Sequence, residues 1–558
     1  MKIATFSTFA GRPARFRTLR YAPLIIGCFL LGNGYPAPAL SEVNPLMAGR
    51  GGDLNFPISC GAQIQPRFDA ALAALHAFWY GEAQKEFTAI SQSHPDCAIA
   101  YWGIAMTQWN QIWAPPRPDN LKAGREAIEK AQSAPQKSPR EADYIDALSA
   151  FYSDTDKLDH RTRAAAYSKK MEALAQKYSQ DQEAEIFYAL SLLATADPLD
   201  KTYKNQLQAG AILEKLSAEM PTHPGINHYI IHAYDYPALA NRALAAALKY
   251  ETCVTIVPHA IHMPSHTFVL LGRWQDTINA NVAAQEAERD RGIPEDRIHD
   301  LDYLVLAYLQ LAQDKKAKET VDLAREIEDD MVAHNHNTGL RDRHYNLAAL
   351  EARWALERHD WKAAATLPLR PSHYAYAEAI PHFAHAVGLA RGGHPDEAQA
   401  EVDQLVRLTK VLSDAKLPYW AGQVEIEDKI ASGWIARARG QNEEAVALMQ
   451  AAAKQEDGLE THDTLNPGPI GMTADESLGM LLLEVKRPAE AFKAFEASLR
   501  VAKNRLAGYA GAASAAAAIN DVENARKYYA KVIELAGGEN GNRPEVTEAK
   551  AYMKHASN

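Results

Sequence analysis

Six histidines fall between residues 223 and 266: His223, His228, His232, His259, His262 and His266. Twenty histidines spread evenly over 558 residues would place one or two in such a window. Imidazole is the commonest metal ligand and titrates near neutral pH, so this excess is where chemistry is to be sought. His228 and His232 are four apart in NHYIIHAYD. On a helix, positions i and i+4 share a face, and both rings can reach one ion. Asp235 lies three residues on, near the same stripe. His262 and His266 repeat the spacing in HAIHMPSH, with His259 three residues before His262. Pro264 stands between them; a helix that begins there accommodates it, whereas a mid-helix proline would disturb the shared face.

The two pairs are about 30 residues apart, roughly one helical hairpin, and equivalent helices of a repeat array pack side by side. His228, His232, His262 and His266 are therefore expected to face one another as metal ligands. Four imidazoles, or three and a carboxylate, suit a divalent transition metal. Copper or zinc is the expected cofactor, and the thioether of Met263 leans toward copper. Asp235 and His259 are candidates for orienting a ligand or acting as general base. The spacing is not the H-E-x-x-H of zinc proteases. The competing reading is a polar histidine network that carries no metal. Four further residues are candidates for lining a ligand groove. Trp113 precedes Pro115 and Pro116, and His299 opens a helical stretch beside Asp300 and Asp302. Glu460 and His462 lie in EDGLETHDTLNPGPIGM, whose prolines and glycines must break a helix.

The elements that position these residues read as helices. Alanine is abundant, β-branched runs are few, and the chain is 47% hydrophobic and 23% charged, enough to bury a core. From Asp69 to Asp96 the chain reads DAALAALHAFWYGEAQKEFTAISQSHPD, with Ala71, Ala83, Phe87 and Pro95 in the pattern of a tetratricopeptide unit. The second-helix signature returns from Gly272, Gln313, His359, Gly392, Gly440, Lys486 and Asn520. The crossing alanines Ala364 and Ala398 are 34 apart, as are Ala491 and Ala525, whereas other steps are 46 or 47. The segment Glu141–Ala196 lacks the signature but keeps helical periodicity. The expected fold is all-α, a right-handed superhelical solenoid of such hairpins.

The chain resembles a family of exported bacterial tetratricopeptide-repeat proteins of about this length. The resemblance lies in FDAALAALHAFWYGEAQKEF, CAIAYWGIAM, HPGINHYIIHAYD, PHAIHMPSHTFVLLGRW, HDLDYLVLAYLQ and NPGPI. It implies a fold and export, not an activity. Solenoids of this kind generally hold a peptide, a protein or a small molecule in a concave groove.

Ahead of the first acidic residue, Glu42, stand Lys2, Arg12, Arg15, Arg17 and Arg20, then the apolar Tyr21–Leu31 stretch and Ala37-Pro38-Ala39. This is the order of a cleavable secretory signal, with cleavage near Ala39 and a periplasmic or secreted product. Removing those five positive charges takes the formal charge from −11 to −16. Such a balance argues against a nucleic-acid partner. No transmembrane helix is expected in the mature chain. Three cysteines would remain, and a Cys60–Cys97 bridge would suit an oxidising compartment, leaving Cys253 over. The expected organisation is a signal peptide over 1–39, an extended segment over 40–67, an N-terminal helical array over 68–270, C-terminal repeats over 271–536 and a polar, fraying tail over 537–558.

Two functional readings follow. One is an exported binding or scaffold protein with a histidine-rich, metal-binding groove. The other is a metal-dependent enzyme, hydrolytic or oxidative, that uses the four-histidine cluster.

Overall fold

A computed structural model describes residues 52–555, except 113–114, 198–199, 254–256, 293–296, 337–338, 460–466 and 538–542. The chain falls into two units, Met1–Glu42 and Val43–Asn558. The first, with the expected signal segment, lies outside the described residues, as do Trp113, Glu460 and His462. Among the described residues the second unit is all-α, a solenoid of helical hairpins with no strand.

Each signature segment forms the second helix of a hairpin: Tyr80–Ser93, Trp274–Arg291, Asp314–Ala333, Trp361–Ala364, Pro395–Asp414, Asn442–Gly458, Pro488–Val501 and Val522–Leu535. Two residues before each of them the backbone enters the left-handed region, at Phe78, Gly272, Ala312, His359, Gly393, Gly440, Lys486 and Asn520. One such residue reverses the chain and aims the second helix back along the first. Three residues into each helix sits the crossing residue: Ala83, Thr277, Ala317, Ala364, Ala398, Ala445, Ala491 or Ala525, all with 0% exposure. Small side chains there let the two axes approach closely. The aromatic of the signature then fills the gap to the next hairpin. Phe87 lies 2.5 Å from where a Cβ on Gly103 would stand, and Phe495 is wedged between Gly479 and Gly511. The Trp361–Ala364 helix has only four residues; Pro368 and Pro371 follow and cannot continue it.

Capping fixes several boundaries. Ser138 with Glu141 and Thr473 with Glu476 form capping boxes, and Asp181, Asp360 and Asp521 accept from backbone N–H groups at their helix starts. A Cys60–Cys97 disulfide, with Cα atoms 5.3 Å apart, ties the first described segment to the helix Ala98–Thr107.

The C-terminal hairpins return to the middle of the chain. Trp274 Nε1 donates to the Asn504 carbonyl at 2.7 Å, and the Leu506 N–H donates to Gln310 Oε1 at 2.9 Å. A Cβ on Gly272 would stand 2.3 Å from the Lys503 carbonyl oxygen, so this turn needs glycine for space as well as for its positive φ. Arg505 is buried between Glu476 and Glu357, at 2.8 and 2.7 Å. The tail departs from expectation: Pro544–His555 is a helix that buries Val546 and Ala549, and Arg543 pairs with Asp314 at 2.6 Å. Two apolar positions three apart supply a packing face that the polar composition conceals.

The hairpin rule lapses between residues 220 and 270. Here three short helices, Ile226–Ala233, Pro258–His262 and Pro264–Leu270, flank the longer Ala240–Cys253. Pro224 and Pro237 bracket the first, since a residue before proline avoids helical geometry. The histidines lie in this irregular stretch. No described helix is long and apolar enough to cross a membrane.

Candidate metal centre

Three histidine clusters lie close together, and each offers three possible ligand atoms within 4.8 Å of one another: His262, His266 and His299; His228, His232 and His259; and His76, Glu183 and His223. The sequence pointed to one four-histidine point. The structure instead divides those rings between two triplets, each completed by a third histidine, and the reason is local. The helix Pro258–His262 ends at Pro264, whose missing N–H breaks the hydrogen-bond ladder while Met263 keeps helical angles. His262 and His266 stay on one face, with their Nε2 atoms 3.0 Å apart. His259, one turn earlier, turns to His228 and His232.

In the first triplet the Nε2 atoms converge. His299 Nε2, from the helix Arg297–Gln310, lies 3.1 Å from His262 Nε2. The Nδ1 atoms of His262 and His266 face outward to acceptors. His262 Nδ1 lies 2.7 Å from Asn281 Oδ1 and 2.9 Å from Asp300 Oδ1. The Asn281 amide is oriented by its own bond to the Thr277 carbonyl at 2.8 Å, which leaves its oxygen toward the ring. His266 Nδ1 lies 2.9 Å from Asp235 Oδ2. A carboxylate only accepts, so both Nδ1 atoms carry the proton, and in neutral rings both Nε2 atoms then present lone pairs to each other. Lone pairs facing at 3.0 Å repel unless a cation lies between them. A shared proton bridges two atoms; convergence of a third Nε2 favours a metal ion. A tetrahedral ion with metal–nitrogen bonds of about 2.0–2.1 Å sets its nitrogens roughly 3.3 Å apart, near the spacing here. The carboxylates behind the rings are the partners that metal-bound imidazoles need to hold tautomer and orientation. Tyr303 closes the pocket, with its ring edge-on to His262 at 4.7 Å between centroids.

The second triplet sits in an aromatic box. Phe78 lies 4.5, 5.5 and 5.9 Å from the rings of His228, His232 and His259, and Tyr250 stacks on His228. His228 Nδ1 donates to the His76 carbonyl at 2.8 Å, which turns its Nε2 toward His232 Nε2 at 3.1 Å. Burial pushes His228 down to about 3. His259 and His299 are also held well below the ordinary imidazole range, first by burial and then by neighbouring rings. These imidazoles are neutral at physiological pH, the form that binds metal.

The third cluster is different. Gly225 N–H donates to His223 Nδ1 at 3.1 Å, so His223 Nε2 donates to Glu183 Oε1 at 2.9 Å. His76 Nε2 donates to Glu183 Oε2 at 3.0 Å, and the Tyr229 hydroxyl serves His76 Nδ1 at 3.0 Å. Burial alone would raise the Glu183 carboxyl, but the two rings outweigh it and hold the group well below the usual carboxylate range.

No protein-family model matches the chain, and no curated protein matches it. Solved structures similar to it include a monomeric IFIT1 mutant with the capped RNA m7Gppp-AAAA, at 12% identity over 79% of this chain and 90% of that one, with a TM-score of 0.36. They also include Naa15/Naa10 bound to HypK-THB, at 13% identity, 88% and 91% coverage and a TM-score of 0.26. A third is the APC/C hetero-tetramer Cut9–Hcn1, at 10% identity, 88% and 97% coverage and a TM-score of 0.25. All three are tetratricopeptide-repeat structures. The site stands on this chain's own residues.

Of the expected site residues, His228 and His232 share one triplet with His259, and His262 and His266 share the other. Asp235 reaches from the end of the first histidine segment to His266 in the second, so the two segments do meet. Met263 packs among apolar neighbours that include Ile231, Tyr250 and Phe268. His299, assigned from sequence to a ligand groove, is the third ring of the His262 triplet, and all six rings are buried or nearly so. Sequence reasoning missed Asp300 and Asn281 as partners of His262, and the whole His76–Glu183–His223 network. The pairing of His299 with the adjacent Asp300 carried the only signal; His76 and Glu183 are 107 residues apart and had none.

Proposed function

We propose that this protein is an exported helical-repeat scaffold that carries a resident transition-metal ion, copper or zinc, on His262, His266 and His299. The observation that carries the reading is the pair of Nε2 lone pairs facing at 3.0 Å, with both Nδ1 protons committed to acceptors behind them. Imidazole ligands suit copper and zinc. Export is supported by the basic, apolar and small-residue order of the N-terminus and by the Cys60–Cys97 disulfide, which belongs to an oxidising compartment. The interior position of the rings separates the metal from any peptide or protein held on the solenoid surface.

Three protein ligands leave a fourth coordination position for water or a small reactant, the arrangement of catalytic rather than purely structural zinc sites. This keeps metal-dependent hydrolysis or oxidation of a small substrate as the second reading, with Asp235 as the group that holds His266 rather than as a base. Elemental analysis of untagged protein tests the main reading. About one equivalent or more of copper or zinc per chain is expected, and its absence after loading and dialysis would overturn it.

A further inference from the structure

Within the metal-binding reading, on which this inference rests, a second feature goes beyond a single ion. The helix Ile226–Ala233 supplies His228 and His232 to one triplet and is followed by Asp235, which serves the other. The helix Pro258–His262 supplies His259 to one triplet and His262, one turn on, to the other. The rings of His232 and His266 are 6.4 Å apart between centroids, so no helix or apolar layer separates the triplets. We propose that the protein holds two metal ions in adjacent three-histidine sites, the second on His228, His232 and His259.

The second site has the features of the first, in a different wall. Its ligand set is three imidazoles with no carboxylate, which keeps the ion's full charge and favours a soft or borderline metal over magnesium or calcium. The His76 carbonyl fixes the His228 tautomer as the carboxylates do for His262 and His266. Phe78 and Tyr250 exclude water from one side, so the small ligand that completes either ion's coordination would sit between the triplets.

Untagged protein saturated with Cu(II) and dialysed is the test, read by elemental analysis and electron paramagnetic resonance. Two copper ions per chain are expected, with fewer detectable spins than copper atoms because adjacent Cu(II) ions couple. His259→Gln and His299→Gln should each hold one copper, and each should restore one full mononuclear signal. One copper per wild-type chain, unchanged by His259→Gln but lost in His299→Gln, would overturn the second site and leave the first intact. Two coppers with two full, uncoupled signals would overturn adjacency. No copper or zinc at any ratio would overturn the resident metal itself. The wild-type stoichiometry needs no variant, so a misfolded substitution does not decide the outcome.

Discussion

The clusters around Glu183 and around His262 contain the same kinds of residue, both largely buried, and differ in where their protons point. In the Glu183 cluster every ring nitrogen that lacks a proton faces a donor, and every N–H faces an acceptor. Nothing further is needed, and an added cation would find no lone pair directed at it. In the His262 cluster the Nδ1–H groups of His262 and His266 point outward to Asp235, Asp300 and Asn281, and their Nε2 atoms face each other beside His299 Nε2. Convergence of histidines is therefore a weak indicator of a metal. Outward donors combined with inward acceptors are a stronger one, because that polarity leaves a region of negative potential that a cation relieves.

The largest effect should come from breaking the closed cluster. Glu183→Ala strips the acceptor from two buried N–H groups and should cost about 3–5 kcal/mol in urea denaturation, with the metal content of the His262 triplet unchanged. Loss of metal alongside stability would show that the two clusters are one unit. His262→Ala should do the reverse. Its stability after chelation should fall below that of chelated wild type by about 1–3 kcal/mol, the cost of leaving the buried acceptors Asp300 and Asn281 without the His262 donor. With free metal at a hundredfold excess over Kd, wild type should gain about 2.7 kcal/mol more than the variant, which lacks the ion of that triplet. A gap of the same size with and without metal would mean that His262 serves packing.

Much of the fold was legible because hairpins obey a local rule. The crossing alanines from Ala83 to Ala525 announced themselves by spacing, and all are fully buried. The departures occurred where tertiary contacts override local pattern. The helix Pro544–His555 is held by Val546, Ala549 and Arg543, and its polar composition gave no hint of that docking. Within the site, the i, i+4 pairs His228/His232 and His262/His266 could be read because helix periodicity alone brings them together. Their division into two triplets could not, since it depends on the break at Pro264 and on His299, which arrives from another helix. Donor polarity was beyond reach for the same reason: Asn281 and Asp300 act through folding, not through sequence distance.

The acceptors behind the rings give a smaller handle on the comparison. Asp235→Asn keeps the size of the side chain and an oxygen able to accept from His266 Nδ1, but removes the charge that strengthens the ring as a ligand. Metal affinity should fall about 10–100-fold, measured by competition with a chromophoric chelator. The equivalent change near the closed cluster, Tyr229→Phe, should leave affinity unaltered. A fall in both would place His76 and its neighbours in the metal site, against the polarity argument.

The last contrast sets Glu183 against a carboxyl with no such donors. Glu427 faces a cavity walled by Tyr345, Tyr376 and Trp420, and its Oε2 has no hydrogen-bond partner. Burial pushes it up to about 8, from an ordinary value of 4.5. Between those limits the folded chain holds a proton that the unfolded chain has released, so raising the pH favours unfolding, by up to about 1.4 kcal/mol per pH unit from this group. The contribution is absent below the unfolded value and fully developed above pH 8. Stability measured by urea denaturation should therefore decline from pH 5 toward 8 less steeply in Glu427→Gln than in wild type. Glu456, raised to about 8 as well, keeps part of the decline in the variant. Parallel curves would mean that Glu427 ionises in the folded protein as freely as in the unfolded chain. Burial without donors would then not separate it from Glu183, and the direction of the surrounding N–H groups would lose its explanatory role for carboxyls.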